Sequence, residues 1–327
     1  MNKTRLIAGS LALLFAATAC GSSSYDATPV PVKEAPPAAV PAAPAAETCK
    51  DALWSYAPAG PLPAPGQMPA GSTMEKIQKY GRLVAGVSAD SLNLGSRNPL
   101  TGAIEGFDID MINAVAAAIF GTAEGHVELR VISSPQRLPV LQAKRGPGAV
   151  DIVARNMTIN CARWKDIAFS AEYYRSGQKL LVQRDMKAKT LAELSGQKIC
   201  APTGSTSYDN MRAANKNVIA VNADTDTGCL VLFQQSKVVG ITGDDTVLAG
   251  DVAQDPYAKV TDAPAFSQEP YGLGMNKSQV DFVRFVNGVL EKMKAGPNPA
   301  WQQSYDKWFG AALGPATPPK AIYGRVP

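Results

Sequence analysis

The stretch AVDIVARNMTINCARWKDIAFS, residues 149–170, decides how this chain is read. AVDIVA is a short apolar run of the kind that forms a buried strand. RNMTINCARW then sets out a hydroxyl, amides, a cysteine and a spaced arginine before the chain turns apolar again at IAFS. A plain surface loop needs none of that chemistry. An anion-binding site needs most of it, because a buried anion requires donors and a counter-charge.

Outward from this stretch the pattern repeats. RLVAGV (82–87) reads as a buried strand. GFDIDMINAVAAAIFG (106–121) reads as a helix, with Met111, Ile112, Val115 and Ile119 at helical spacing. HVELRVI (126–132) is a second strand, PQRLPVLQAKR (135–145) a short helix behind a proline, and AVDIVA a third strand. Strands alternating with helices imply a mostly parallel sheet. KLLVQ (179–183) opens a second set. TLAELSG (190–196) is a short helix and QKICAP (197–202) a strand. TGSTSYDNMRAAN (203–215) is a helix entered through hydroxyls. NVIAVN, CLVLFQQS and VVGITG continue the alternation, and two amphipathic helices follow EPYGLGM. One carries Phe282, Phe285, Val286, Val289, Leu290 and Met293, the other Trp301, Tyr305 and Trp308. The expected fold is α/β in two lobes. In such folds a ligand sits in a crevice outside the carboxyl ends of the strands.

The N-terminus speaks to location. MNKTR is basic, and LIAGSLALLFAATA (6–19) is apolar but too short to span as a mature helix. Ala17-Thr18-Ala19 before Cys20 has the small-residue pattern of a cleaved signal, so 1–19 is expected to be a signal peptide. Cys20 followed by GSSS resembles a bacterial lipobox, with Cys20 lipidated. Ala17 stands where such boxes carry leucine, so plain cleavage at the same place is the alternative. Residues 20–73, rich in Pro and Ala, read as a tether on the extracytoplasmic side of the cell membrane. The segment CKDALWSY (49–56) within it is expected to dock on the body. The tail 314–327 is proline-rich and reads as loose.

The formal net charge of +4 falls to +2 once Lys3 and Arg5 leave with the signal. That balance is weak and scattered, which argues against nucleic acid as a partner. Cys49, Cys161, Cys200 and Cys229 remain if Cys20 carries lipid. An even number in an oxidising compartment favours two disulfides, with three pairings open. A metal site is the rival reading, but the spacings are wide and His126 is the single histidine. No metal or cofactor is expected.

At this point the chain resembles the family 3 solute-binding proteins, the extracellular receptors of polar amino-acid ABC importers. The matching stretches include RLVAGV…GAIEGFDIDMINAVA, RLPVLQAKRGPGAVDIVARNMTIN…R…IAFSAEYYRSGQKLLV, LAELSGQKICAPTGSTS and VVGITGDDTVLAG. They end in EPYGLGMNKSQVDFVRFVNGVLEKM…W…YDKWFG, so the likeness runs in register over about residues 76–310. Lipobox, linker and cysteines together resemble an actinobacterial glutamine-binding-type lipoprotein. The resemblance implies the type II periplasmic-binding-protein fold: a first lobe in two pieces (74–176 and 267–313), a second lobe (177–266), and hinge crossings at YYRSGQ and FSQEPYG. It favours Cys200–Cys229, on second-lobe elements that the family places side by side. Cys49–Cys161 follows by elimination.

Site residues follow residue by residue. The resemblance pairs Arg163 with a ligand α-carboxylate, which a guanidinium fork suits. Thr158 adds a hydroxyl and a backbone N–H, and Asn156, where the family carries glycine, offers its carbonyl to the ammonium. Ser205 and Thr206 lie at a helix N-terminus that favours an anion. Asp244 pairs with the ammonium, with Asp245 next to it as a helix cap. Arg137 aligns with an arginine that meets a side-chain carboxylate in acid-binding members, which implies aspartate and glutamate ahead of the amides. Asp90 is a contact after the first strand, where the family often carries an aromatic lid and this chain has none; the lid is then Tyr271 or absent.

Plainer roles compete with each of these. Arg163 and Arg137 could be surface ion pairs, Asp244 a helix cap and Thr158 an ordinary strand residue. An enzyme on the same fold is the rival function, but no serine–histidine or cysteine–histidine pair can be drawn. The expected partners are an amino acid and a membrane protein, either an ABC permease or a signalling receptor, with the binder itself a monomer.

Overall fold

The structure, a computed structural model, describes residues 49–144, 146 and 148–327. The expected signal peptide (1–19), Cys20 and residues 21–48 lie outside the described residues. The described residues belong to one compact unit.

Strand β1 (Trp54–Ser55) and helix α1 (Thr73–Tyr80) precede β2 (Leu83–Val87), whose five residues are all buried. A small antiparallel meander, β3 (Asp90–Ser91), β4 (Gly95–Arg97) and β5 (Ile104–Glu105), leads into α2 (Phe107–Phe120). Gly106 makes that entry possible. Its φ is 145°, and a Cβ there would lie 2.2 Å from the Leu94 carbonyl oxygen, so only glycine fits. Met111, Ile112, Val115 and Ile119 of α2 are fully buried, as their spacing predicts. Then come β6 (Val127–Val131), α3 (Arg137–Gln142), β7 (Ile152–Ala154), α4 (Cys161–Trp164) and β8 (Ile167–Phe169).

The long strand β9 (Tyr174–Gln183) crosses into the second lobe. There β10 (Lys198–Pro202), α5 (Thr206–Ala214), β11 (Ile219–Ala223), α6 (Asp226–Gln234), β12 (Gly240–Asp244), α7 (Asp245–Gln254) and β13 (Ala258–Val260) alternate as their periodicity suggests. The chain returns through β14 (Ser267–Tyr271) to β15 (Gly274–Asn276), α8 (Val280–Lys294), α9 (Ala300–Tyr305) and β16 (Ile322–Tyr323).

Two sheets result. The first runs β6-β2-β7-β15-β8, parallel except at β15, which arrives from the return segment. The second runs β11-β10-β12-β9-β13, with β14 also on β9. Antiparallel pairing of β14 with β9, from Ser267↔Gln178 to Tyr271↔Tyr174, makes the two crossings one ribbon. An aromatic cluster anchors the first-lobe end of that ribbon: Phe107 packs within 6.0 Å of the rings of Tyr173, Tyr174, Trp301 and Phe309.

Two expectations need correction. The tail is not loose: β16 pairs in parallel with β1, Arg325 donates to the carbonyls of Trp54 and Asp51, and Lys294 donates to Pro319 O. Nor does the tether reach residue 73. Residues 49–73 lie on the body, with Met68 buried, Leu62 against Gly288, and Gly66 N donating to Ile119 O. Proline-rich composition removes backbone donors but leaves carbonyls and apolar rings able to pack. The 49–56 segment does dock: Ser55 donates to Phe169 O and Trp164 Nε1 to Ala52 O.

Both favoured disulfides are present, Cys49–Cys161 and Cys200–Cys229. The second closes a separation of 29 residues. Loop-closure entropy puts its loss at roughly 3–4 kcal/mol of stability. The double variant Cys200→Ser/Cys229→Ser is expected to melt well below the wild type by calorimetry; an unchanged melting temperature would show that the bridge constrains nothing.

Candidate functional site

The carboxyl end of β7 in the first lobe lies across the seam from those of the neighbouring strands β10 and β12 in the second, and the predicted site residues gather there. Arg137 opens α3 and is 2% exposed. Its guanidinium donates through Nε to Ser134 O (3.0 Å), through Nη1 to the carbonyls of Arg155 and Asn156 (3.2 Å each), and through Nη2 to Gly204 O (3.0 Å). Four of its five donors thus go to backbone carbonyls. Burial, with the charges of Arg163 and Arg155 nearby, pulls its pKa well down.

Arg163 lies in α4, capped by Asn160. It donates through Nη1 to Thr158 O (2.7 Å) and through Nη2 to Gly204 O (3.3 Å). Burial lowers its pKa too, opposed by the carboxylates of Glu269 and Asp244. Gly204 therefore receives both arginines from the opposite lobe. Its φ of +68° and its approach to Pro135 Cα, 3.2 Å from where a Cβ would stand, call for glycine.

Asn156 has a φ of 36°. Asparagine is among the few residues that tolerate the left-handed region, which explains how it stands where the family has glycine. Its N–H donates to Asp108 Oδ2 (2.9 Å), and its buried Oδ1 has no partner. Tyr173 OH holds the other oxygen of Asp108 at 2.6 Å, and burial pushes that carboxyl up to about 6.

From the second lobe, Ser205 caps α5: its Oγ accepts from Tyr208 N and donates to Pro202 O. Thr206 Oγ1 lies 3.1 Å from Thr158 Oγ1, and both reach Glu269 Oε2, at 2.6 and 2.7 Å. Asp244 ends β12, 5% exposed, accepting from Tyr271 OH (2.7 Å) and Ser207 Oγ (3.3 Å). It stands at the N-cap of α7 but makes no side-chain cap bond, so the capping role is excluded. Asp245 accepts from the hinge residue Ser176. Tyr271 is fully buried, and its hydroxyl bonds to Asp244 and Thr246. Asp90 accepts from Thr227 N and Oγ1 at the start of α6, so it bridges the lobes at the cleft's edge.

Sequence reasoning passed over Asp226, Asp251 and Glu269. Asp226 accepts from Ser91 Oγ (2.5 Å) and lies 3.9 Å from Arg155. Asp251, whose Oδ2 has no partner, is pushed well above the carboxylate range by burial and by Asp226 and Asp90. With Arg137, Asn156 and Asp244, these two aspartates line a cavity of ≈ 20 Å³. No local pattern marks them, since each reaches the cleft from a helix of the second lobe. Among the described residues no cluster of metal-ligating side chains occurs.

Two α/β lobes on a paired-strand hinge, with buried ionic and hydroxyl groups converging between them, define a binding protein of the type II periplasmic class. The chain belongs to the bacterial extracellular solute-binding proteins, family 3, whose profile matches residues 83–311. It is 35% identical over 219 residues to a glutamine-binding protein of Geobacillus stearothermophilus, covering 67% of this chain and 81% of that one. It is 30% identical over 244 residues to the glutamate-binding protein GluB of Corynebacterium efficiens, covering 72% and 81%. Among solved structures, a mutant of ArgBP from T. maritima superposes with a TM-score of 0.65 at 25% identity, covering 72% of this chain and 99% of that one. These relatives are solute-binding proteins, and this chain is a solute-binding protein rather than an enzyme.

Asp244 offers a test with a definite sign. Burial first, then the charge of Glu269, pushes its carboxyl well above the ordinary 3.8, while the Tyr271 hydrogen bond acts in the opposite sense. A carboxyl with a raised folded pKa holds its proton more tightly in the fold, so it costs stability as pH rises past the unfolded value. Asp244→Asn keeps an acceptor for Tyr271 and removes that cost. The variant is expected to melt a few degrees above wild type at neutral pH, with the gap closing as pH falls toward 4. A lower melting temperature at pH 7 would contradict the assignment.

Proposed function

We propose that this chain captures an amino acid with an acidic or amide side chain outside the cytoplasm and hands it to a membrane partner. The lobes divide at 74–176, 177–266 and 267–313. Cys20 carries the lipid anchor, residues 21–48 form the tether, and the binder works as a monomer. The observation that carries the reading is the buried Arg163, with donors beyond those given to Thr158 and Gly204, set across the cleft from the buried carboxylate of Asp244. A zwitterion presents its carboxylate to the first and its ammonium to the second. The named specificities of the glutamine- and glutamate-binding relatives support the ligand class.

Arg137 supports aspartate and glutamate ahead of the amides, through its remaining donor and its charge. A second reading puts the amides first. It rests on the cavity wall, where Asp226, Asp244 and Asp251 stand together and Arg137 has spent four donors on carbonyls.

Calorimetry against the twenty amino acids tests both. Arg163→Ala is expected to lose binding by a factor of hundreds, since breaking a buried pair costs about 3–5 kcal/mol. Near-native affinity in that variant would remove Arg163 from the site. Arg137→Met should weaken the acids several-fold and spare the amides, the charge-assisted bond being worth roughly 1 kcal/mol more than a neutral one. Glutamine binding best in the wild type, or an equal loss for all ligands in Arg137→Met, would favour the second reading.

A further inference from the structure

Glu269 sits in β14 opposite Ser176 of β9, so its backbone belongs to the hinge ribbon, yet its side chain reaches both jaws. It is 1% exposed. Oε2 accepts from Thr158 Oγ1 (2.7 Å) and Thr206 Oγ1 (2.6 Å), while Oε1 accepts from Asn210 Nδ2 (2.9 Å) and Ser267 Oγ (2.6 Å). The two threonine hydroxyls are also 3.1 Å from each other.

Counting protons decides what this triad can do. Each hydroxyl has one proton, an ionised carboxylate has none, and three oxygen–oxygen contacts compete for the two. Whichever two contacts are hydrogen bonds, both protons stay inside the triad. The hydroxyls therefore have only lone pairs left to offer a ligand, and Thr206 lines the cavity. A ligand carboxylate meets no hydroxyl donor there; a ligand N–H meets acceptors.

We propose that Glu269 is a positioning residue that fixes Thr158 and Thr206 as hydrogen-bond acceptors, so that they read the ligand's ammonium and not its carboxylate. This rests on the amino-acid reading above and changes the role of Thr158 within it: the Thr158 hydroxyl joins Asp244 on the ammonium side, and Arg163 takes the carboxylate without it. Because Thr158 comes from the first lobe and Thr206 and Asn210 from the second, the carboxylate is fully satisfied only with the jaws together. Recognition of the ammonium and closure then depend on the same group.

The test uses the full mature domain and two probes, L-glutamate and glutarate, which is the same dicarboxylate without the amine. Wild type is expected to bind L-glutamate much more tightly. Glu269→Ala frees the hydroxyl protons and should lose about tenfold for L-glutamate, one charge-assisted bond's worth, while glutarate holds or gains. Glu269→Gln keeps an oxygen toward the threonines and should recover much of the loss. Equal losses for both probes, or tighter L-glutamate binding in Glu269→Ala, would overturn the proposal. Proton NMR gives a readout that needs no ligand. The hydroxyl protons of Thr158 and Thr206 should exchange slowly enough to be seen in wild type and Glu269→Gln, and vanish in Glu269→Ala. Fast-exchanging hydroxyls in wild type defeat the idea even if L-glutamate binds. Visible hydroxyls in a wild type that binds none of the twenty amino acids would leave the triad standing and the amino-acid reading refuted.

Discussion

Three guanidinium groups are buried on the first-lobe side of the cleft, and satisfying them shapes much of what surrounds them. Arg137, Arg155 and Arg163 are 2%, 1% and 7% exposed. A cation removed from water at that depth needs both donor satisfaction and counter-charge. Backbone carbonyls supply the first: Ile132 O takes Arg155 Nε, Thr158 O takes Arg163, and Gly204 O takes both Arg137 and Arg163. Carboxylates supply the second, and they come from across the seam. Asp226 and Asp244 belong to the second lobe and Glu269 to the hinge. Turning carbonyls inward explains the local backbone. Asn156 at φ 36° and Gly204 at φ +68° are the two places where the chain leaves the ordinary regions to aim an oxygen at a guanidinium.

The same charges tie the hinge to the cleft. Asp244 is held by Tyr271 of β14, Asp245 by Ser176 of β9, and Asp108 by Tyr173 just before β9. Each hinge strand therefore touches a carboxyl that faces or supports the site. Rotation about this ribbon cannot leave the bonds to Asp244 and Asp245 unchanged, whereas the Tyr173–Asp108 bond and the aromatic cluster around Phe107 lie on the first-lobe side and can ride together. That places the bending between a rigid apolar anchor and a polar network, an arrangement suited to hinge closure.

The strands and long helices were legible in the sequence because their signal is local. The four apolar positions of α2, or the five residues of β2, carry their burial in their spacing. Arg163, Asp244 and Thr158 were legible through the stretch that surrounds them. What was not legible depends on distant partners. Nothing in SQEPYG distinguishes Glu269 from a solvated glutamate; its hydrogen-bond partners stand at positions 158, 206, 210 and 267. The tail misled for the same reason. Its proline content is that of a linker, and the strand that holds it lies 268 residues away, the offset between Trp54 and Ile322. Arg137 was recognisable as a cation, but no spacing rule shows that its donors are consumed by four carbonyls.

Under the proposed function, the cleft has to tell aspartate, glutamate and their amides apart. The α-carboxylate and α-ammonium of any amino acid add no net charge, so Arg163 and Asp244 can serve all of them alike. Only the side chain changes the balance. A carboxylate adds one negative charge to a wall that already holds Asp226, Asp244 and Asp251, and against it Arg137 has its charge and a single uncommitted donor. An amide adds no charge, accepts from that donor, and can give a proton to the unpartnered oxygen of Asp251. Burial, and after it the neighbouring carboxylates, raises the pKa values of Asp251 and Asp244. On the proposed reading, a side-chain carboxylate is favoured by protons held on these aspartates, whereas an amide does not depend on them. If Arg137 meets the side chain as proposed, the choice between acid and amide rests on protons held in the wall as much as on that arginine.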